Sequence, residues 1–423
     1  MSFSPSDRRP STPATRFSGS ALVIAGGLSL TGLGTLIMMG LTARWLSPKD
    51  YQGFVTWWAV ATFFGAGFGV FETYIARLVV RDLALATSPR PVIAVITARA
   101  WLAVALVALV AVALRSSLAH SLFQGSLSAA ALLPIFVAIG MFQCVQRGIA
   151  TGHRRFIMNG AQFATDGILR AVFVVGAHDF LSSTLATYAA AACLSAACSV
   201  VVSFVILPET RVLPRFRGAL VSWRPLGHLL ISVASVMLIN NGTVVWLSAT
   251  HSVPAVTLGA FAGVMALSQI PTQLSSAVAS PTLSHLAHAL DTGDHHLFRQ
   301  LRRRVILATF WLGAIFVVGF ALLGHDILAI YLGSRFTLQR TYMVLLATGS
   351  AVMLLAMVEQ AVLNSRNKWH NVALAWALAI AGFVVTLVLP LSTVLRASLA
   401  PFISVSIAFL GMFILSNHSV TDE

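Results

Sequence analysis

The chain has 423 residues, of which 57% are hydrophobic and 9% charged, and its mean hydropathy is +0.86; a soluble globular chain carries about 25% charged residues. So little charge cannot furnish a water-facing surface, which excludes a soluble globular domain and makes the bilayer the solvent. The formal net charge of +14 does not point to nucleic acid, because the basic residues sit between apolar runs and nowhere build a soluble basic domain.

In chain order, residues 1–19 are rich in Ser, Pro and Arg and read as a disordered cytoplasmic tail. The apolar run 20–43 exceeds a signal-peptide core and lacks a small-residue cleavage site, so it reads as a retained anchor. Further runs long enough to cross a bilayer follow at 54–75, 91–114, 129–145, 157–175, 185–207, 226–249, 256–279, 305–323, 342–363, 372–391 and 399–415. About twelve transmembrane helices are therefore expected in an all-α polytopic membrane protein. Cys144, Cys193 and Cys198 fall inside apolar runs, with neither disulfide nor metal-ligand spacing, and read as small buried hydrophobes.

Loop charge orients the spans, because Lys and Arg are retained on the cytoplasmic side. With the N-terminus inside, 19 of the 27 basic residues fall in inner segments, in groups such as Arg299, Arg302, Arg303 and Arg304. Six fall outside, namely Arg44, Lys49, Arg115, Arg335, Arg340 and Arg396, while Arg99 and Arg170 lie within spans. Both termini are expected in the cytoplasm. The longest inner connector, 208–225, divides an N-terminal six-helix lobe at 20–207 from a C-terminal one at 226–415, with a cytoplasmic tail at 416–423. The halves echo one another: YQGFVTWWAV (51–60) aligns with TLGAFAGVMA (257–266), and IATGHRRF (149–156) with VLNSRNKW (362–369).

Ionisable side chains at bilayer depth cost about 2.5–3.5 kcal/mol on insertion scales, so each needs a reason. Arg99 lies about 12 Å into the third span at 1.5 Å per residue. Asn159, Gln162, Asp166 and Arg170 recur at three- and four-residue steps along the fifth span, with Asp166 one turn before Arg170. Gln143, Gln146 and Arg147 form a shorter stripe on the fourth, Glu72 and Arg77 stand near the inner end of the second, and Arg44 ends the first. Arg99 and these stripes read as walls of a hydrophilic cavity in the N-terminal lobe that binds substrate; the competing reading is a buried Asp166–Arg170 pair with glutamines that pack helices. Glu72, Asp166 and Glu359 are candidates for proton coupling. In the C-terminal half, Asn240, Asn241, Thr243, Gln269 and Gln273 are neutral, and Pro271 is expected to kink the eighth span. The histidines His285, His288, His295 and His296 lie in an amphipathic stretch and are not assigned a metal. No catalytic residue, cofactor motif or metal site is read from the chain.

The hairpin LTARWLSPKDYQGFVTWWAVATFF (41–64) resembles the R-x-L-x-P-x-x-Y/F-G segment of bacterial polysaccharide flippases in the multidrug/oligosaccharidyl-lipid/polysaccharide exporter superfamily. The stretch 327–371, with ILAIYLGSRF and VLNSRNK, is similar to that family's L-x-x-x-x-G-x-x-F segment and its N-x-x-x-K turn. Gln52 departs from the pattern, and twelve spans rather than fourteen argue against the peptidoglycan-precursor branch. The resemblance implies alternating-access flipping of an undecaprenyl-pyrophosphate-linked oligosaccharide, such as an O-antigen or exopolysaccharide unit, across the bacterial inner membrane. Its implied partners are the anionic lipid-linked oligosaccharide, membrane lipids, a polysaccharide polymerase and glycosyltransferases, without nucleic acid. Two alternatives stay open: a cation-coupled multidrug exporter, and a non-transporting membrane scaffold for polysaccharide assembly.

Overall fold

A computed structural model of the chain describes residues 13–85, 88–206, 224–272, 295–366 and 368–421. The elements are helices throughout: α1 (Pro13–Trp45), α2 (Pro48–Gly67), α3 (Gly69–Ala84), α4 (Arg90–Ala113), α5 (Arg115–Ser121), α6 (Leu127–Gly152), α7 (Phe156–Phe180) and α8 (Leu185–Ile206) form the first lobe. The second lobe holds α9 (Arg224–Thr250), α10 (Ala255–Ser268), α11 (His295–Leu332), α12 (Arg340–Ser365), α13 (Trp369–Leu387) and α14 (Thr393–Thr421). The expected tail up to residue 12, the 208–223 part of the connector, Gln273, His285 and His288 lie outside the described residues.

Among the described residues, eleven helices are long and apolar enough to cross a membrane, with α2 and α3 joined as one 37-residue span. The chain is a multi-pass membrane protein of two lobes. The expected twelfth span is α7, which is 25 residues long. It falls outside the apolar set because its stripe of Asn159, Gln162, Asp166 and Arg170 lowers its hydropathy, and those side chains are covered by α1, α6 and α8 instead of lipid. Large exposed apolar side chains, such as Leu106, Leu109, Ile315 and Leu322, ring the outside, as lipid contact requires.

Helix ends follow local chemistry. Ser47 caps α2, its Oγ accepting from the Asp50 amide at 3.1 Å, with Pro48 in the first turn. The span carrying α10 breaks at Gln269, two residues before Pro271, where the missing proline N–H interrupts the helical ladder. The aligned repeats occupy equivalent places: α2 and α10 are the second spans of their lobes, and the second pair falls at the junctions of α6 with α7 and of α12 with α13. We call the end of the molecule where α1 finishes distal, and the opposite end proximal.

Glycine sets how α1 meets α7. A Cβ at Gly27 would collide with the Gly160 backbone, and one at Gly34 with that of Gly167. The spacing of seven residues on both helices lets their backbones touch at two levels, the close approach small residues permit in membranes. Thr31 Oγ1 then donates to the Phe163 carbonyl across the seam at 2.6 Å.

Candidate functional site: a chamber between the lobes

A cavity of about 370 Å³ lies between the lobes at mid-depth. In the first lobe its walls come from α1, α2, α6 and α7, including Thr31, Thr35, Met39, Trp58, Thr62, Phe136, Gln143, Arg147, Gln162, Phe163, Asp166 and Arg170. In the second lobe they come from α9 and the α10 span, with Met237, Asn240, Asn241, Val244, Met265 and Gln269. Thr62 donates to Asn241 Oδ1 at 3.1 Å, a polar contact that joins the two walls.

The charge in the wall is arranged in pairs. Arg170 Nη2 donates to Asp166 Oδ2 at 2.5 Å, and the residues are 4% and 7% exposed. Arg170 Nη1 also donates to Thr35 Oγ1 at 2.6 Å, its guanidinium lies 4.9 Å from the Trp58 ring centre, and Ser195 donates to Asp166 Oδ1 at 3.2 Å. The network thus ties α1, α2, α7 and α8 around one ion pair. Arg147 Nε donates to Glu72 Oε2 at 2.8 Å and lies 4.8 Å from the Phe163 ring. Both chamber arginines carry a carboxylate partner, so the wall is polar without being strongly basic. The Arg170 Nε–H has no acceptor among the described residues.

The polar stripes divide between the two uses expected of them. Asp166, Arg170, Gln162, Gln143 and Arg147 line the chamber. Gln146 and Asn159 do not: Gln146 donates to the Val200 carbonyl at 3.1 Å and accepts from Gln162 at 2.8 Å, while Asn159 donates to Thr151 at 2.6 Å. Gln143, too, is held by Ser199 at 2.7 Å. These amides bind α6, α7 and α8 to one another, satisfying polar groups that lipid would leave bare.

Four of the other sequence candidates stand away from the chamber. Arg99 is on α4, which packs on α6 and contributes no lining residue. Arg44 and Arg77 sit at opposite ends of the lobe seam, Arg44 bonding the Ile330 carbonyl and Arg77 lying 4.0 Å from the Trp369 ring centre. Glu359 is 0% exposed and takes both oxygens to Arg302 at 2.9 Å, with Ser416 donating at 2.8 Å. In the second lobe Asn240, Asn241 and Gln269 line the cavity, whereas Thr243 is buried outside it. The sequence reading missed Trp58, Phe136, Phe163 and the methionines, which look like any apolar lipid-depth residue. Thr31 and Thr35, four residues apart on α1, form a polar step legible in the sequence.

Solved structures similar to this chain in fold include transporters. An inward-facing multidrug resistance MATE family transporter of the MOP superfamily matches 96% of this chain and 95% of its own at a TM-score of 0.63 and 11% identity. A MATE transporter from Vibrio cholerae matches 98% and 99%, at 0.64 and 11%. The chain has a MATE-like fold. A further structure with this MATE-like fold, a MOP superfamily transporter from Pyrococcus furiosus whose binding pocket is described as reversed in polarity, matches 96% of both chains at 0.57 and 12%. No family model and no curated protein matches the sequence.

Proposed function

We propose that the chain is a multi-pass membrane exporter that carries an amphipathic organic solute of drug size by alternating access of the chamber between its lobes. The observation that carries this reading is the chamber itself. Its volume of about 370 Å³ falls within the roughly 300–1,000 Å³ of small-molecule sites, and like them it combines apolar and aromatic walls with a few polar groups. Trp58, Phe136, Phe163 and the flexible Met39, Met237 and Met265 offer adaptable surface for varied cargo. Asn240, Asn241, Gln269 and Gln162 supply neutral hydrogen bonds, and the Asp166–Arg170 pair offers either sign of charge when it separates.

The test is uptake of an amphipathic dye into proteoliposomes holding the purified chain, under an imposed pH gradient or potential. Protein-dependent uptake is expected, and Trp58→Ala lowers it by about 10-fold, equivalent to about 1.4 kcal/mol of lost binding. Folded protein that moves none of a panel of cationic, zwitterionic and anionic dyes would overturn the reading.

A second reading rests on Arg170, whose Nε–H has no acceptor among the described residues, and on Arg147 in the wall of the same chamber. In this reading the cargo is the anionic headgroup of a lipid-linked oligosaccharide, whose outward passage is helped by an inside-negative potential at about 2.3 kcal/mol per charge per 100 mV. A deletion strain that accumulates lipid-linked oligosaccharide on the cytoplasmic leaflet would select it over the dye exporter.

A further inference from the structure

We propose that Arg44 and Arg335 form a reciprocal clasp that holds the distal end of the chamber shut, each guanidinium capping the carbonyl terminus of a helix in the opposite lobe. Arg44 ends α1 in the first lobe and donates to the Ile330 carbonyl near the end of α11. Arg335 follows α11 in the second lobe and donates to the carbonyls of Ala43 and Leu46, the latter at 2.6 Å. The Ala43 and Ile330 carbonyls belong to the last turns of their helices, where no further helical amide follows to donate to them. These carbonyl ends carry the negative pole of the helix dipole, so a cation arriving from across the seam gains both hydrogen bonds and field.

The neighbouring residues fit an interface that closes and reopens. Tyr51 packs edge-on against Phe336 at 5.1 Å, and a Cβ at Gly259 would press on both rings. Gly333, at φ +100°, turns the chain after α11 so that Arg335 and Phe336 face α1 and α2. The phenol oxygens of Tyr51 and Tyr331 are buried in this seam without a hydrogen-bond partner among the described residues. Opening of the seam would return both hydroxyls to water, while the clasp supplies the polar bonds across the closed seam. The two sequence segments that resemble the flippase motifs, 44–53 and 328–336, are thus the two sides of one gate.

The inference goes beyond the proposed cargo and can be tested without any. With the three cysteines replaced by serine, spin labels at exposed Ser117 and Ser392, on the distal surfaces of the two lobes, report the distal separation in nanodiscs by double electron–electron resonance. The native pair is expected to give a narrow short-distance peak. Arg44→Ala/Arg335→Ala should shift at least half of the population to longer distances, and Arg335→Lys, which lacks the fork that spans two carbonyls, should lie between. Arg340→Ala is the control, because Arg340 bonds Leu322 within its own lobe. If the double variant does not fold, exposed Arg44→Ala alone is read the same way. An unchanged distance distribution in any folded Arg44 or Arg335 variant overturns the clasp and leaves the export reading untouched.

Discussion

At the scale of single residues, the Asp166–Arg170 pair concentrates the cost and the use of charge in the membrane. Separating a buried pair by removing one partner costs about 3–5 kcal/mol, because the survivor is left uncompensated. Asp166→Ala is therefore expected to lower the detergent melting temperature markedly. Asp166→Ala combined with Arg170→Met should recover much of that loss, since the apolar pair needs no compensation, while transport stays impaired. Calorimetry or dye-monitored melting decides it: a double variant no more stable than the single one would show that the ion pair is not what holds these helices. Glu359 makes the contrast. Its two oxygens are taken by Arg302 and Ser416 outside the chamber, so it serves to join α11, α12 and α14. Glu359→Gln should reduce melting temperature with transport per folded molecule unchanged; loss of transport at normal stability would restore it as a coupling group.

At the scale of elements, spans were legible in the sequence because a lipid-facing helix must be apolar on at least one side over about twenty residues. The charged turn from Asp166 to Arg170 was legible for the converse reason: charge in an apolar run demands a partner, and a four-residue step places it on the same face. What could not be read is which partner a side chain meets across a helix seam. Gln146 and Gln162 look alike in sequence, yet one turns into the α6–α8 contact and the other reaches the chamber. Depth alone makes Arg99 a cavity candidate, but depth says nothing of azimuth, and α4 contributes no residue to the chamber. The α1–α7 crossing shows how sequence spacing becomes geometry. Gly34→Val or Gly167→Val must push the helices apart at their contact, where overpacking costs about 1–3 kcal/mol, and it would move Thr35 off Arg170. Transport is expected to fall well below half with expression retained, whereas Gly176→Val, with open space around its Cβ, should be neutral. Equal effects of the three would show that helix propensity, and not the crossing, governs the result.

At the scale of the whole molecule, the two ends of the seam are held by unequal means. The distal end has guanidinium–carbonyl bonds in both directions and a buried aromatic contact. Among the described residues, the proximal end has exposed Arg77 over Trp369, a cation–π contact worth about 0.5–1 kcal/mol at an exposed site. The proximal end should therefore open first, connecting the chamber to the side that carries the N-terminus. By the loop-charge pattern that side is expected to be cytoplasmic, because Arg and Lys are retained there. Both statements meet in one experiment on sealed vesicles of known orientation, with a single cysteine at Asn240 in the chamber wall and a membrane-impermeant maleimide added from either face. Labelling from the cytoplasmic face is expected to be several-fold faster, and Arg77→Ala should accelerate it further by loosening that end. Faster labelling from the outer face would reverse the order of the two gates, or the orientation; a fluorescent-protein fusion at the C-terminus, bright only when cytoplasmic, tells which.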